Sequence, residues 1–319
     1  MKILITGSAG FIGFHTAKRL LEKKHIIYGL DNLDNYYDVK LKKNRLKILE
    51  KYKNFNFLKI NLINKKKLEQ QFKKKKFDLV INLAAQAGVR FSIKNPQKYF
   101  NSNILGFFNL IEASRKYKIK KVVSVSTSSV YGENKKLPFK EVDRVDNIIQ
   151  FYAASKRSNE IIGEVYSKIY GMNFIFLRFF TVYGPWGRPD MALAKFVLNI
   201  LKGKKIDVFN MGKHKRDFTY IDDIVDGVIK ATFHKNKNKF DIYNLGNGKI
   251  VNLMDYIKVI EKKLGIKSKI NFKKLQKGDV KNTLSNLDKS RKNLNYKPKT
   301  NIDQGIGNYI EWFRQYYKI

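Results

Sequence analysis

Short apolar runs alternate with amphipathic stretches along the first half of the chain. Lys2 to Thr6 is an apolar, β-branched run followed by Gly7-Ser8-Ala9-Gly10-Phe11-Ile12-Gly13 and then by helical spacing from His15 to Lys24. Ile26 to Leu30, Phe57 to Ile60 and Leu79 to Leu83 read as further buried strands, with helical spacing over Lys65 to Lys75 between the last two. Asn103 to Tyr117 and Ser155 to Tyr170 have the period of long amphipathic helices, and Lys121 to Ser126 between them is another strand. Such alternation predicts an α/β fold with a Rossmann-type, doubly wound parallel sheet.

The pattern changes after the strand Phe174 to Arg178. Phe179 to Met191 mixes aromatic, Gly, Pro and Arg residues, which predicts an irregular, ligand-lining loop at a domain boundary. Helices are expected over Ala192 to Gly203 and Leu253 to Lys263, with a strand-to-helix passage at Arg216 to Asp223 between them. The expected division is a dinucleotide-binding domain over 1–179, with a segment returning to it near 219–246, and a smaller substrate-binding domain over 180–319.

Composition narrows the chemistry. The chain has 319 residues, 43% of them hydrophobic, with no apolar run of transmembrane length, and is expected to be cytoplasmic with no membrane partner. It contains no cysteine, so thiol nucleophiles and disulfides are excluded. The four histidines show no ligand spacing, and no metal is expected. The net charge of +38 raises the question of nucleic-acid binding. Lys dominates over Arg, however, and is spread through many exposed-looking positions, so no nucleic-acid partner is expected. The positive field would still attract an anionic substrate.

Strand, glycine turn and helix follow in the order that a dinucleotide diphosphate requires. Gly7 permits the tight turn, Gly10 lets the backbone approach phosphate, Gly13 allows close packing, and the helix N-terminus offers free N–H groups. Asp31 ends the next strand, where a carboxylate can accept ribose hydroxyls and would repel a 2'-phosphate, which favours NAD over NADP. In Phe151-Tyr152-Ala153-Ala154-Ser155-Lys156, a phenol and an ammonium lie four residues apart on one helical face. A Lys cation beside a phenol is expected to stabilise the phenolate and make Tyr152 a general base. Thr127, Ser128 and Ser129 follow a strand, at the crevice where ligands bind in open α/β sheets. Arg216 has the planar fork that suits a diphosphate.

Together, GSAGFIG, LAAQAGVR, TSSVYG, YAASK, RFFTVYGPWGRPDMA and RDFTYIDD resemble the motifs of an extended short-chain dehydrogenase/reductase, and within it a nucleotide-sugar epimerase. AAQAGVR and FFTVYGPWGRPDMA resemble the UDP-glucuronate 4-epimerases in particular. The resemblance spans Met1 to about Tyr317 and implies bound NAD, a UDP-sugar substrate and a homodimer through the Asn103 and Ser155 helices. It implies Tyr152 as the base, Lys156 as its partner at the nicotinamide ribose, and Thr127 on the proton path at the sugar's O4. The cofactor site implied is Gly7, Gly10, Phe11, Ile12, Gly13, Asp31, Asn32, Asn61, Leu83, Ala84, Ala85 and Asn103. On the substrate side it implies Gln86, Arg90 and Gln276, with Ser128, Ser129 and Thr181 near the sugar carboxylate and Arg188 and Arg216 at the diphosphate.

The chain departs from the family pattern at Asn61, where an Asp usually faces adenine, at Asn82 in place of a His, and at Lys277 in place of a Pro. Related decarboxylases carry a Glu in the position of Ser129, and dehydratases an acidic pair after the Thr; neutral hydroxyls here imply epimerisation alone. The function implied is 4-epimerisation of UDP-glucuronate through a 4-keto sugar. UDP-glucose or a UDP-N-acetylhexosamine is the alternative substrate, and a decarboxylase or a non-catalytic NAD- or nucleic-acid-binding protein are the further alternatives.

Overall fold

The computed structural model describes residues 1–319. The chain begins β1 (Lys2–Thr6), α1 (Phe11–Glu22), β2 (Ile26–Asp31), α2 (Val39–Leu49), β3 (Phe55–Lys59), α3 (Lys65–Lys75) and β4 (Leu79–Asn82). It continues with the short helices α4 (Val89–Lys94) and α5 (Pro96–Tyr99), then α6 (Gly106–Lys116), β5 (Val122–Thr127), α7 (Phe151–Tyr170) and β6 (Phe174–Phe179). Next come β7 (Thr181–Tyr183), α8 (Ala192–Leu201), β8 (Lys205–Val208), β9 (Lys215–Arg216), β10 (Phe218–Tyr220) and α9 (Ile221–Phe233). The chain ends with β11 (Phe240–Leu245), β12 (Val251–Asn252), α10 (Leu253–Leu264), β13 (Lys269–Phe272), α11 (Asp288–Leu294) and α12 (Ile302–Tyr317).

Seven strands make one parallel sheet in the order β11-β6-β5-β4-β1-β2-β3. Helices cover both faces, so its strands are apolar on alternate sides without a polar face. Ile3, Ile5, Ile81, Val123 and Ile175 point into a core shared with Phe14, Ala17 and Leu20 of α1 and Ile224, Val225 and Val228 of α9. Their neighbours Leu4, Val80, Val122, Phe174 and Phe176 point the other way, onto Leu68 and Phe72 of α3 and Phe107, Leu110 and Ile111 of α6. Each such side chain contributes roughly 1.5–3 kcal/mol on burial. No helix is long and apolar enough to cross a membrane.

Two local features differ from the sequence-based expectation. The stretch from Phe179 to Met191 is not wholly irregular: β7 lies within it and pairs in parallel with β10, matching Thr181 to Phe218. The expected helix from Asn103 is preceded by a π-helical turn over Phe100–Leu105 that contains Asn103 itself. After β6 the chain builds a lobe over the carboxyl ends of the sheet strands from α8, α10, α12 and the short pairs β8–β13 and β9–β12. Between β10 and β12 the chain returns to the sheet through α9 and β11, where β11 forms an outer strand beside β6.

Candidate active site

The carboxyl ends of the parallel strands open on a cavity of about 480 Å³. At its floor, Gly7 has φ +72°, a left-handed conformation that favours glycine, and a β-carbon there would lie 2.7 Å from the Ala84 nitrogen. A β-carbon on Gly13 would lie 2.0 Å from the Gly7 carbonyl oxygen, and one on Gly10 2.9 Å from the same atom. Gly13 therefore lets α1 press against the turn itself. The Asp31 carboxylate accepts from the Ala9 N–H at 3.1 Å and the Leu33 N–H at 2.8 Å, leaving lone pairs on both oxygens. Burial raises its pKa, opposed by those N–H groups and by Lys42 and Arg45.

Gly7, Gly10, Phe11, Ile12, Gly13, Asp31, Asn32, Asn61, Leu83, Ala84 and Ala85 all line this cavity. So do Gln86, Thr127, Ser128, Ser129, Tyr152, Thr181, Arg188 and Arg216. Asn103, Lys156, Arg90 and Gln276 do not. Asn103 is buried and acts through its neighbours: its Oδ1 accepts from the Gln86 N–H at 2.7 Å, and its Nδ2 donates to the Gln86 carbonyl and to Ser155 Oγ, both at 3.0 Å. The π-turn is what carries its amide to both segments, and such turns recur at functional sites. Arg90 is exposed and pairs with Asp279 at 3.0 Å. Gln276 is half-buried outside the cavity, its Oε1 without a partner. Asn82 bridges three strands, accepting from Thr6 Oγ1 at 2.6 Å and donating to Ser124 Oγ at 3.0 Å.

Tyr152 and Lys156 share α7. Lys156 is 1% exposed, and its Nζ has no partner within the protein. Burial pulls its pKa down to about 8, with Glu160 one turn further on opposing the shift. The expectation that Lys156 lowers the Tyr152 pKa toward neutrality does not describe the protein by itself. Burial holds the phenol above its ordinary value, and the groups that pull it down are the Thr127 hydroxyl and the Arg188 charge. Two groups desolvated together each resist charging, so their pairing alone does not yield a phenolate. An unpartnered buried ammonium, a turn in which only hydrogen fits, and an acid at the end of β2 together fit a dinucleotide.

The two arginines that line the cavity are already engaged. Arg188 Nε and Nη2 donate to the two oxygens of Asp190 at 2.9 and 2.5 Å, and Tyr36 donates to the same carboxylate at 3.1 Å. Arg216 donates to the Lys281 carbonyl at 2.6 Å and to the Val280 carbonyl, pinning a cavity wall. Burial lowers its pKa, with Asp279 opposing.

Sequence reading passed over Tyr36 and Asp190, as well as Arg45, which is fully buried and donates to Ala9 and Trp186 carbonyls. It also passed over Glu160, whose carboxylate accepts from Arg178, Arg157 and Ser126 beneath the site. Glu160 stands eight residues after Tyr152, a spacing that could have placed it on the same helical face.

A dinucleotide turn feeding a cleft lined by Tyr152 and a hydroxyl cluster, with Lys156 buried one turn along the same helix, defines a Rossmann-type, nicotinamide-dependent enzyme. Residues 3–246 match the NAD-dependent epimerase/dehydratase family, and the chain belongs to it. It is 50% identical over 313 residues to an uncharacterised protein of Methanocaldococcus jannaschii, covering 98% of this chain and 95% of that one. It is 39% identical over 335 residues to the probable UDP-glucuronate 4-epimerase of Rhizobium meliloti, covering 100% and 98%. Among solved structures it is similar to the UDP-glucuronic acid 4-epimerase from Bacillus cereus in complex with UDP-glucuronic acid and NAD. That match has TM-score 0.95 and 34% identity, and covers 99% of this chain and 100% of the other.

Proposed function

We propose that the protein interconverts UDP-glucuronate and UDP-galacturonate by NAD-dependent epimerisation at C4 of the sugar. The observation that carries this reading is the hydroxyl set at the end of β5: Thr127, Ser128 and Ser129 line the cavity together with Thr181, with no carboxylate among them. Hydroxyls can donate to a substrate carboxylate and hold it, whereas a carboxylate side chain would repel it and offer acid/base chemistry leading elsewhere. The substrates named for the Rhizobium meliloti and Bacillus cereus proteins support the same assignment.

In this reading the backbone of Gly7 to Gly13 holds the cofactor diphosphate, Asp31 a ribose, Asn61 the adenine and Lys156 the nicotinamide ribose. When bound, NAD supplies a reversible hydride acceptor, so the sugar passes through a 4-ketone with no net redox change. Tyr152 takes the proton from O4 and returns it, with the Thr127 hydroxyl beside it on the proton path. Thr127 is oriented by its own backbone contact, its Oγ1 accepting from the Ser129 N–H at 3.2 Å. Lys156 holds positive charge behind the phenol. Ser128, Ser129 and Thr181 restrain the uronate carboxylate, which is β to the ketone and prone to leave as CO2.

The same reading includes a homodimer. Phe108 on α6 is 41% exposed, and Ile161, Val165 and Ile169 make an exposed stripe at four-residue spacing on α7. Light scattering on an Ile161→Glu/Val165→Glu variant is expected to show a monomer where the parent protein shows a dimer.

The decisive assay is incubation with UDP-glucuronate, with and without added NAD, followed by proton NMR. UDP-galacturonate approaching a stable ratio with its epimer is the expected result. Conversion of UDP-glucose or UDP-N-acetylglucosamine instead would refute the uronate assignment and keep C4 epimerisation. CO2 or UDP-xylose as the main product would refute the hydroxyl argument. Tyr152→Phe is expected to lower kcat by about 10²–10⁴-fold with the fold intact.

A further inference from the structure

Gln150 ends the loop before α7 and caps that helix. Its Oε1 accepts from the Ala153 N–H at 2.8 Å, satisfying one of the free donors of the first turn. This bond fixes the orientation of the amide, because only its oxygen can accept. The nitrogen, with two hydrogens to donate, is therefore turned away from the helix. Gln150 is 7% exposed, and its Nε2 is buried with no partner in the protein. A buried donor left unmade costs roughly 1–3 kcal/mol, which a shorter capping residue would avoid.

The residue lines the cavity two positions before Tyr152. It lies against the wall formed by Gly278, Asp279 and Val280, where a β-carbon on Gly278 would come 3.8 Å from the Gln150 Cβ. That wall is the one Arg216 pins through the Val280 and Lys281 carbonyls. We propose that Gln150 is a substrate-binding residue whose amide NH2 donates to an acceptor oxygen of the nucleotide sugar, on its diphosphate or on its sugar ring. The inference rests on the nucleotide-sugar reading given above and adds a specific contact to it.

Gln150→Ser separates the two jobs of the side chain. Serine is a good N-cap but too short to present a donor at the position of Nε2. Calorimetric titration of the full-length protein with NAD, UDP and UDP-glucuronate is the test, alongside thermal melting. The variant should melt no lower than the parent protein and bind NAD equally, while UDP-glucuronate binds roughly tenfold more weakly. An equal loss for UDP alone places the acceptor oxygen on the diphosphate; unchanged UDP binding places it on the sugar. Gln150→Glu keeps a capping oxygen but replaces the donor by an anion, and should weaken UDP-glucuronate further still. Unchanged affinities in both variants would overturn the inference alone. Parent protein that binds neither UDP nor UDP-glucuronate would overturn it together with the nucleotide-sugar reading.

Discussion

Glu160→Gln tests the polar network beneath the site. Both oxygens of Glu160 accept from the Arg178 fork at 2.9 Å, Ser126 donates to one at 2.6 Å and Arg157 to the other at 3.0 Å. Glu160 is 0% exposed and Arg178 1%, so water cannot replace what the substitution removes. Taking one charge from a buried pair destabilises by about 3–5 kcal/mol, because the partner charge stays behind uncompensated. Unfolding entropy near 2.1 cal/mol/K per residue gives about 0.7 kcal/mol/K for this chain, so Tm should fall by about 4–7 °C.

Burial alone raises the Glu160 carboxyl, but hydrogen bonds from Arg178 and Ser126 and the charges of Arg178 and Arg157 outweigh it and leave the pKa depressed. A depressed carboxyl contributes stability above its ordinary pKa and loses it as pH falls through the folded value. The gap in Tm between parent and variant should therefore be full near pH 7 and close in acid. The same substitution removes the charge that supports the Lys156 ammonium, so the alkaline limb of kcat/KM should move to lower pH. Circular dichroism melts from pH 3 to 8 and a pH–rate series would measure both effects. A Tm within 1 °C of the parent at pH 7, or a gap that widens in acid, would refute the reasoning.

Gly13→Ala places a methyl group where the Gly7 carbonyl oxygen would be 2.0 Å away, with only backbone to yield. NAD binding followed by fluorescence should be lost, with a stability loss of about 1–3 kcal/mol from overpacking. Ser129→Glu puts an anion beside the uronate and should raise the KM for UDP-glucuronate by roughly tenfold or more, with CO2 release as the second readout. Asp31→Asn keeps an acceptor for one backbone N–H while removing the charge that disfavours a 2'-phosphate, so the NAD-to-NADP affinity ratio should fall in paired titrations.

Features written locally in the chain were legible before the structure. Apolar runs at strand length, the spacing of Gly7, Gly10 and Gly13, the acid at Asp31 and the four-residue step from Tyr152 to Lys156 all depend on neighbours within a turn or a strand. Periodicity reports which face a residue occupies, and for these residues the face decides the chemistry. It does not report which partner waits across the fold. That is why the bonds from Asn103 to Gln86 and Ser155, and the Asp190 carboxylate that meets the charge of Arg188 and accepts from Tyr36, were not legible.

The same limit applies to β7, which reads as loop because its register comes from β10, more than thirty residues later. Tyr152 shows the division most directly. The sequence places it one turn from an ammonium and so marks it as a candidate base. Whether its proton is held or released depends on burial, Thr127 and Arg188, which come together only when β5, α7 and the loop after β7 close around one cavity.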